Sequence, residues 1–141
     1  MKFLILFSLA AISSNAQCVL TIDEPNKNII PDSITIYNPN DVDRLPIVTS
    51  GIDNFREEFI SKLHKQYKLN KNTPHRLYTS FVIERNGTIS GVKIGHYGNK
   101  SEIVIIAERI IQSIKAKWIP GFIKNYPVRT LYSLPILIRH N

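Results

Sequence analysis

Few side chains in this 141-residue sequence have the type and spacing that catalysis needs. Ser61 and His64 lie three positions apart, which places a hydroxyl and an imidazole on one face of a helix. Such pairs are common, and this one lacks the acid that would orient the histidine. The adjacent carboxylates Glu57 and Glu58 diverge on a helix, so they do not form an acid-base pair. We therefore predict no enzyme and no catalytic residue.

Metal binding is not predicted either, and no cofactor is expected. The single cysteine, Cys18, excludes an intramolecular disulfide and any cysteine-based zinc site. The histidines lack the spacing of metal ligands, being scattered at His64, His75, His96 and His140.

Charge is unevenly distributed along the chain, whose net charge is +7. Residues 17–54 are acidic, whereas residues 55–141 carry 15 basic against five acidic side chains. A basic body suits an acidic partner or an anionic membrane surface, and it also suits an ordinary solvated surface. No tight basic run and no aromatic-basic pattern occurs, so nucleic acid is not a predicted partner.

The amino terminus has the pattern of an export signal. One lysine precedes an apolar run from Phe3 to Ile12, which is too short for a spanning helix, and Ser14-Asn15-Ala16 resembles a signal-peptidase site. We predict a cleaved signal peptide over residues 1–16. A retained anchor is the alternative, as is lipidation of Cys18, although Gln17 is larger than the residue that lipidation requires.

Two stretches have the apolar spacing of amphipathic helices. The first begins at Asp53 or Asn54, either of which is predicted to cap it. The second begins near Ser101, carries a broad face of isoleucines, and fades at residues 115–117. The apolar stripe of the first helix consists of Phe55, Phe59, Ile60, Leu63 and Tyr67.

Between the helices, LYTSFVIERNGTISGVKI (77–94) predicts a β-hairpin. Asn86-Gly87 suits a two-residue type I′ turn, in which both residues take positive φ. That turn pairs Ile83 with Ser90 and Thr79 with Ile94. The resulting core face, predicted to pack against Phe59, Ile106 and Ile110, consists of Phe81, Ile83, Val92 and Ile94.

After the second helix, KWIPGFIKNYPV (117–128) predicts turns, and residues 128–138 predict a last strand. Pro135 cannot donate a ladder hydrogen bond, so this strand should have one free side or end early. The order of elements predicts an α+β fold, a two-layer sandwich in which two helices cover a small antiparallel sheet made of the hairpin and the last strand. We predict an extended lead-in over residues 17–41, with SITIY (33–37) as a possible short strand, and one domain over residues 42–141.

Several stretches in this order resemble the carboxy-terminal domain of TonB-type proteins over residues 42–138. They are VDRLPIVTSGIDNFREEFISKL, the hairpin with Asn86-Gly87, and the run Trp118-x-Pro120-Gly121 followed by Pro127-Val128. The usual glycine of the last turn is replaced by Asn125, which also tolerates a left-handed conformation. The usual double glycine before the first helix is reduced to Ser50-Gly51.

The resemblance implies a periplasmic binding module. Domains of this family add an extended segment of an outer-membrane transporter to their sheet as an extra strand, in TonB-dependent transport. Here the lead-in is short and its prolines are spread out, which departs from the long spacer of full energy transducers. An exported accessory or structural protein with another partner is the alternative.

The last strand is the predicted binding edge, because an exposed edge offers free main-chain groups to an extended partner. Arg129 is expected to favour acidic neighbours. The alternative is an edge that is merely tolerated, or one covered by residues 33–37. The predicted partner-binding residues are Val128, Arg129, Thr130, Leu131, Tyr132 and Ser133.

Overall fold

The computed structural model describes residues 30–95 and 101–139. Two helices and a mostly antiparallel sheet make it an α+β fold, as predicted. In chain order the elements are β1 (Ile36–Tyr37), a 3-10 turn (Pro39–Asp41), β2 (Ile47–Val48), α1 (Ile52–Gln66), β3 (Arg76–Ile83), β4 (Ile89–Gly95), α2 (Glu102–Ser113), β5 (Trp118–Ile119), β6 (Gly121–Ile123) and β7 (Tyr126–Leu137).

Helix α1 buries three of the five residues of its predicted stripe, leaves Ile60 and Tyr67 partly buried, and does not use its predicted caps. Phe55, Phe59 and Leu63 are fully buried. The N-cap is Gly51, whose φ of 87° is costly for other residues, and no side chain caps the helix. The Asn54 amide instead donates to the carbonyl of Ser50 at 2.6 Å, so the capping prediction was wrong.

Helix α2 begins directly after Ser101, as predicted, and ends at Ser113, earlier than expected. Its apolar face is broad because isoleucines recur on it at helical spacing, and burial of this face holds the helix together. The buried residues of α2 are Ile103, Val104, Ile106, Ala107, Ile110 and Ile111.

The hairpin between β3 and β4 exists, but its turn is not type I′. Of its two central residues, only Gly87 has positive φ, at 80°. Gly87 N–H donates to the Glu84 carbonyl at 2.9 Å, and Glu84 N–H donates to the Thr88 carbonyl at 2.8 Å. This is a longer loop in which glycine alone takes the left-handed position. The Asn86 side chain accepts from Thr88 N–H at 3.1 Å, which supports that arrangement.

The register of the hairpin is as predicted at one end and shifted at the other. Thr79 faces Ile94, but the register shifts between Ser80 and Val82. Ile83 therefore faces Ile89 rather than Ser90. The shift accompanies a φ of 56° at Gly91, on β4 opposite this stretch. The predicted core face survives: Phe81 and Ile83 are fully buried, and Val92 and Ile94 pack against the same cluster as Phe59, Ile106 and Ile110.

The sheet is larger than the predicted three strands. Strand β7 lies between β3 and β1, in the order β1-β7-β3-β4, and β6 also pairs with β7. The ladder between β3 and β7 runs without a shift from Arg76–Leu137 to Ile83–Thr130. The stretch predicted to consist of turns contributes two short strands, β5 and β6, and β5 pairs with β2 in a small separate sheet.

The tight turn from β6 to β7 places its positive φ on Lys124, at 54°, and not on Asn125. The main-chain N–H of Lys124 donates to the Asp43 carboxylate, so the segment just before β2 stabilises this turn.

Trp118 closes the core, as predicted, and is only 3% exposed. Its ring meets Phe55 at a centroid distance of 5.7 Å and Phe81 at 5.8 Å, both edge-on. Among the described residues, no helix is long and apolar enough to cross a bilayer. The predicted signal peptide, residues 1–16, lies outside the described residues.

Candidate functional site

The structure separates the six predicted edge residues into two groups. Val128 pairs with Gly121 of β6, and its side chain is fully buried. Arg129 and Thr130 pair with Ile36 and Tyr37 of β1, which runs parallel to β7. The predicted free edge is therefore occupied over these three residues, and β1 supplies the cover that residues 33–37 offered as an alternative.

From Leu131 onward the side of β7 that faces away from β3 pairs with no strand of the described residues. We name this side, from Leu131 to Leu137, the open edge. It exists because β1 ends at Tyr37, where Pro39 opens a 3-10 turn. The free side predicted for the last strand is thus present, but it lies nearer the carboxyl end than expected.

The directions of the main-chain groups along β7 follow from one hydrogen bond. Ile138 N–H donates to the His75 carbonyl at 2.8 Å, and the register with β3 is continuous from there. Because antiparallel pairs alternate between bonded and non-bonded, even-numbered residues of β7 bond to β3. Odd-numbered residues direct their N–H and C=O groups to the open edge, namely Leu131, Ser133, Pro135 and Leu137.

Pro135 fits this geometry. Its missing N–H falls on the open edge, so the proline removes no hydrogen bond from the ladder with β3. A strand that pairs with the open edge would find donors at Ser133 and Leu137, because the Leu131 N–H faces the Tyr37 carbonyl in the parallel pairing with β1. It would find a carbonyl at all four positions.

A groove of about 940 Å³ lies beside the open edge, between α1 and the end of β7. The sheet side presents Pro135 and Leu137 together with the cations Arg76 and Arg139. The helix side mixes both charge signs with one apolar residue, and it consists of Asp53, Arg56, Glu57, Ile60, Ser61 and His64. An extended chain on the open edge would therefore contact helix and strand at once.

Tyr132 faces the core side of β7 and cannot offer main-chain groups to a partner, because it belongs to the bonded pair with Phe81. Its ring stacks on Phe81 at 5.5 Å and meets Trp118 edge-on at 4.9 Å. Burial raises the pKa of the Tyr132 hydroxyl above its ordinary value. Tyr132 thus supports the edge through aromatic packing.

Arg129 is engaged by groups of its own chain. Its guanidinium donates to the Glu84 carboxylate and to the carbonyl of Ile34, at 2.7 Å for the latter. Ser90 Oγ also donates to Glu84. The Arg129 hydrogen bond in particular holds the pKa of the Glu84 carboxyl below its usual range. Arg129 therefore already has an acidic neighbour in Glu84 of its own chain, and its preference for acidic residues of a partner stays a prediction.

The residues on which the TonB resemblance rests lie at turns and at points where two chain segments come into close contact. A Cβ on Gly87 would overlap the Trp118 carbonyl oxygen, and one on Gly121 would overlap Thr130 Oγ1. The Pro127 carbonyl accepts from Arg85 Nε at 3.2 Å. Pro120 separates β5 from β6, and Asn86 shapes the hairpin loop.

The groove between α1 and β7 was not predicted from the sequence. Arg56, Ile60, His64, Arg76 and Arg139 come from three separate stretches, and only the packing of α1 against β7 unites them. One usable signal was present: Ile60 lies at the margin of the apolar stripe of α1, next to charged positions. No cluster of potential metal ligands occurs within residues 30–95 and 101–139.

Comparison with known proteins adds no assignment: no family model, no curated protein and no solved structure matches this chain.

Proposed function

We propose that this protein is a binding module that takes an extended segment of a partner protein as an additional strand. The observation that carries this proposal is the open edge of β7, with outward main-chain groups from Leu131 to Leu137 beside the groove along α1. Unpaired strand edges of this kind pair readily with extended chains.

The open edge is long enough for a specific interaction. Seven residues of extended chain span about 23 Å, and each main-chain hydrogen bond contributes about 0.5–1.5 kcal/mol net. Main-chain bonds alone would accept any sequence. Side chains of the partner that alternate toward the groove would supply selectivity.

The partner that we propose is a segment of an outer-membrane transporter, bound in the periplasm after cleavage of residues 1–16. Support comes from the TonB-like order of helix, hairpin, helix and last strand, and from Trp118-x-Pro120-Gly121 in its expected place before that strand. The proposal includes a two-layer arrangement, in which the buried faces of α1 and α2 form one layer over the sheet.

Site-specific photo-crosslinking in cells tests the proposal. A benzoylphenylalanine replaces Ser133, which is exposed on the open edge, and the control replaces Ile105, which is 48% exposed on α2. We expect the Ser133 probe alone to capture an extended segment of an outer-membrane transporter. Equal capture by both probes, or no capture at Ser133, would contradict strand addition at this edge.

One observation favours a second candidate, an exported accessory or structural protein with another partner. Strand β1 already occupies the edge at Arg129 and Thr130, so the chain covers part of β7 by itself. Capture of a different protein at Ser133 would favour this candidate.

A further inference from the structure

One face of the main sheet points away from the buried core, and we name it the outer face. It carries the even-numbered side chains of β3 and the odd-numbered side chains of β7, whereas the alternate residues enter the core. Arg76 stands opposite Leu137 on this face. Tyr78 lies between Pro135 of β7 and Gly95 of β4. These side chains therefore form one continuous surface near the end of β7.

Unpaired cations dominate the outer face. Arg76, Lys93 and Arg139 are exposed and form no ion pair with a described residue. The strands within residues 30–95 and 101–139 contain no acidic residue. Glu84, which follows β3, is already held by Arg129. The outer face thus has an excess of positive charge that the sheet itself does not neutralise.

The carboxylates closest to this face in the fold belong to another element. Asp53 and Glu57 line the groove from the α1 side, and Asp53 is bound to Arg56 at 3.0 Å. Neither carboxylate forms an ion pair with a cation of the outer face. A surface that meets the outer face would therefore meet its cations without competition from bound acids.

The cations surround aromatic and apolar side chains. Tyr78 is 50% exposed, Leu137 is 57% exposed, and Pro135 is also exposed. The Arg76 guanidinium lies 5.9 Å from the centre of the Tyr78 ring. A tyrosine ring with a wet hydroxyl suits the boundary between the hydrocarbon and the headgroups of a bilayer. The outer face therefore combines basic charge with side chains that can enter this boundary.

A depression of about 490 Å³ lies in the outer face beside Tyr78. The cations Arg76 and Lys93 line it, together with Ser80 and Ser133, which stand opposite each other on β3 and β7. No carboxylate lines this depression. Arginine, lysine and hydroxyl groups are the side chains that donate hydrogen bonds to phosphate oxygens. The depression therefore suits the phosphate of a lipid headgroup.

We propose that the outer face docks on a bilayer surface rich in anionic phospholipid. Lipid phosphates contact Arg76, Lys93 and Arg139, and the Tyr78 and Leu137 side chains enter the headgroup boundary. This inference does not rest on strand addition. The open edge points along the plane of the sheet, so it stays accessible beside a docked outer face. Each cation close to an anionic bilayer strengthens binding roughly fivefold, and salt weakens this contribution.

Flotation of the full chain with lipid vesicles tests the proposal. Vesicles of equal parts phosphatidylglycerol and phosphatidylcholine are compared with vesicles of phosphatidylcholine alone. We expect at least tenfold tighter binding to the anionic vesicles at low salt, and most of this difference should disappear at high salt. Insertion of the apolar run from Phe3 to Ile12 does not need lipid charge. Equal binding to both vesicles would therefore overturn the proposal and favour a protein as the occupant of this face.

A pair of double variants places the binding on the outer face. Arg76→Gln with Lys93→Gln should weaken binding to the anionic vesicles at least tenfold, because two cations near the surface are lost. Lys65→Gln with Lys115→Gln is the matched control, since it removes the same charge at exposed positions outside the outer face. With folding checked by circular dichroism, the control should bind within about twofold of the parent. Equal losses in the two double variants would show a general attraction to a basic protein, and the proposal would be wrong.

Discussion

Arg129 holds Glu84 through two parallel hydrogen bonds, from Nε to Oε2 at 2.8 Å and from Nη2 to Oε1 at 2.9 Å. Nη1 of the same guanidinium donates to the Ile34 carbonyl. One side chain therefore ties the end of β3 to the chain that enters β1. Because β1 pairs over only two residues, this tie determines how firmly the lead-in covers the start of β7.

Glu84→Gln should weaken this tie. We expect a loss of about 1 kcal/mol in the free energy of unfolding, since both side chains are partly exposed and a bidentate arginine pair is stronger than an ordinary surface pair. Urea denaturation measures the loss. Glu108→Gln, at a position with no ion pair among the described residues, is the control. Equal losses in the two variants would show that the pair contributes nothing specific.

The same pair predicts a pH dependence. The pKa of the Glu84 carboxyl lies below its ordinary value of 4.5, chiefly because of the Arg129 hydrogen bond, so the unfolded chain takes up this proton at a higher pH than the folded one. Its stabilisation is present above the unfolded pKa and is lost as the pH falls through the lower folded pKa. Between about pH 5 and pH 2, the parent should lose more stability than Glu84→Gln. Parallel stability curves for the two proteins would contradict this.

Phe81→Ala should cost about 3–5 kcal/mol of unfolding free energy, because Phe81 is fully buried between Phe55, Trp118 and Tyr132. Tyr78→Ala, on the exposed face of the same strand, should cost under about 1 kcal/mol. Chemical denaturation compares the two. Similar costs would mean that the faces of β3 are assigned the wrong way round.

Gly87→Val should destabilise the fold by at least about 2 kcal/mol, for two reasons that add. A branched side chain resists the φ of 80°, and its Cβ would overlap the Trp118 carbonyl. Gly95→Ala is the control, because a Cβ there meets only ordinary contacts at 3.6 Å or more. An unchanged denaturation midpoint for Gly87→Val would contradict the loop described here.

The helices and the core face of the hairpin could be predicted from sequence because their signal is local. Phe55, Phe59 and Leu63 recur every four residues, and Asn86-Gly87 marks a reversal between two β-type runs. The exact loop could not be predicted, because the same dipeptide suits several turns. The later register depended on Gly91, whose positive φ only tertiary packing could select.

The position of the open edge could be predicted only in part. Pro135 indicated a strand with one free side, and its missing donor does face that side. The pairing of β1 with β7 at Arg129 depends on contacts between residues more than ninety positions apart, and no local sequence pattern indicates such contacts. The groove is likewise a product of tertiary packing, since α1 and the end of β7 meet only in the folded chain.

Binding of the neutral peptide GSTVTVNVTVSG to three full-length proteins tests strand addition most directly. Ser133→Pro removes one donor from the open edge and leaves the ladder with β3 intact, because Ser133 belongs to a non-bonded pair with Ser80. Ser133→Ala removes the same hydroxyl but keeps the donor. With folding checked by circular dichroism, we expect the parent and Ser133→Ala to bind alike and Ser133→Pro to bind at least tenfold more weakly, as expected if the proline both removes a bond worth about 1 kcal/mol and obstructs the incoming strand. A folded Ser133→Pro protein that binds as tightly as the parent would contradict strand addition at this edge.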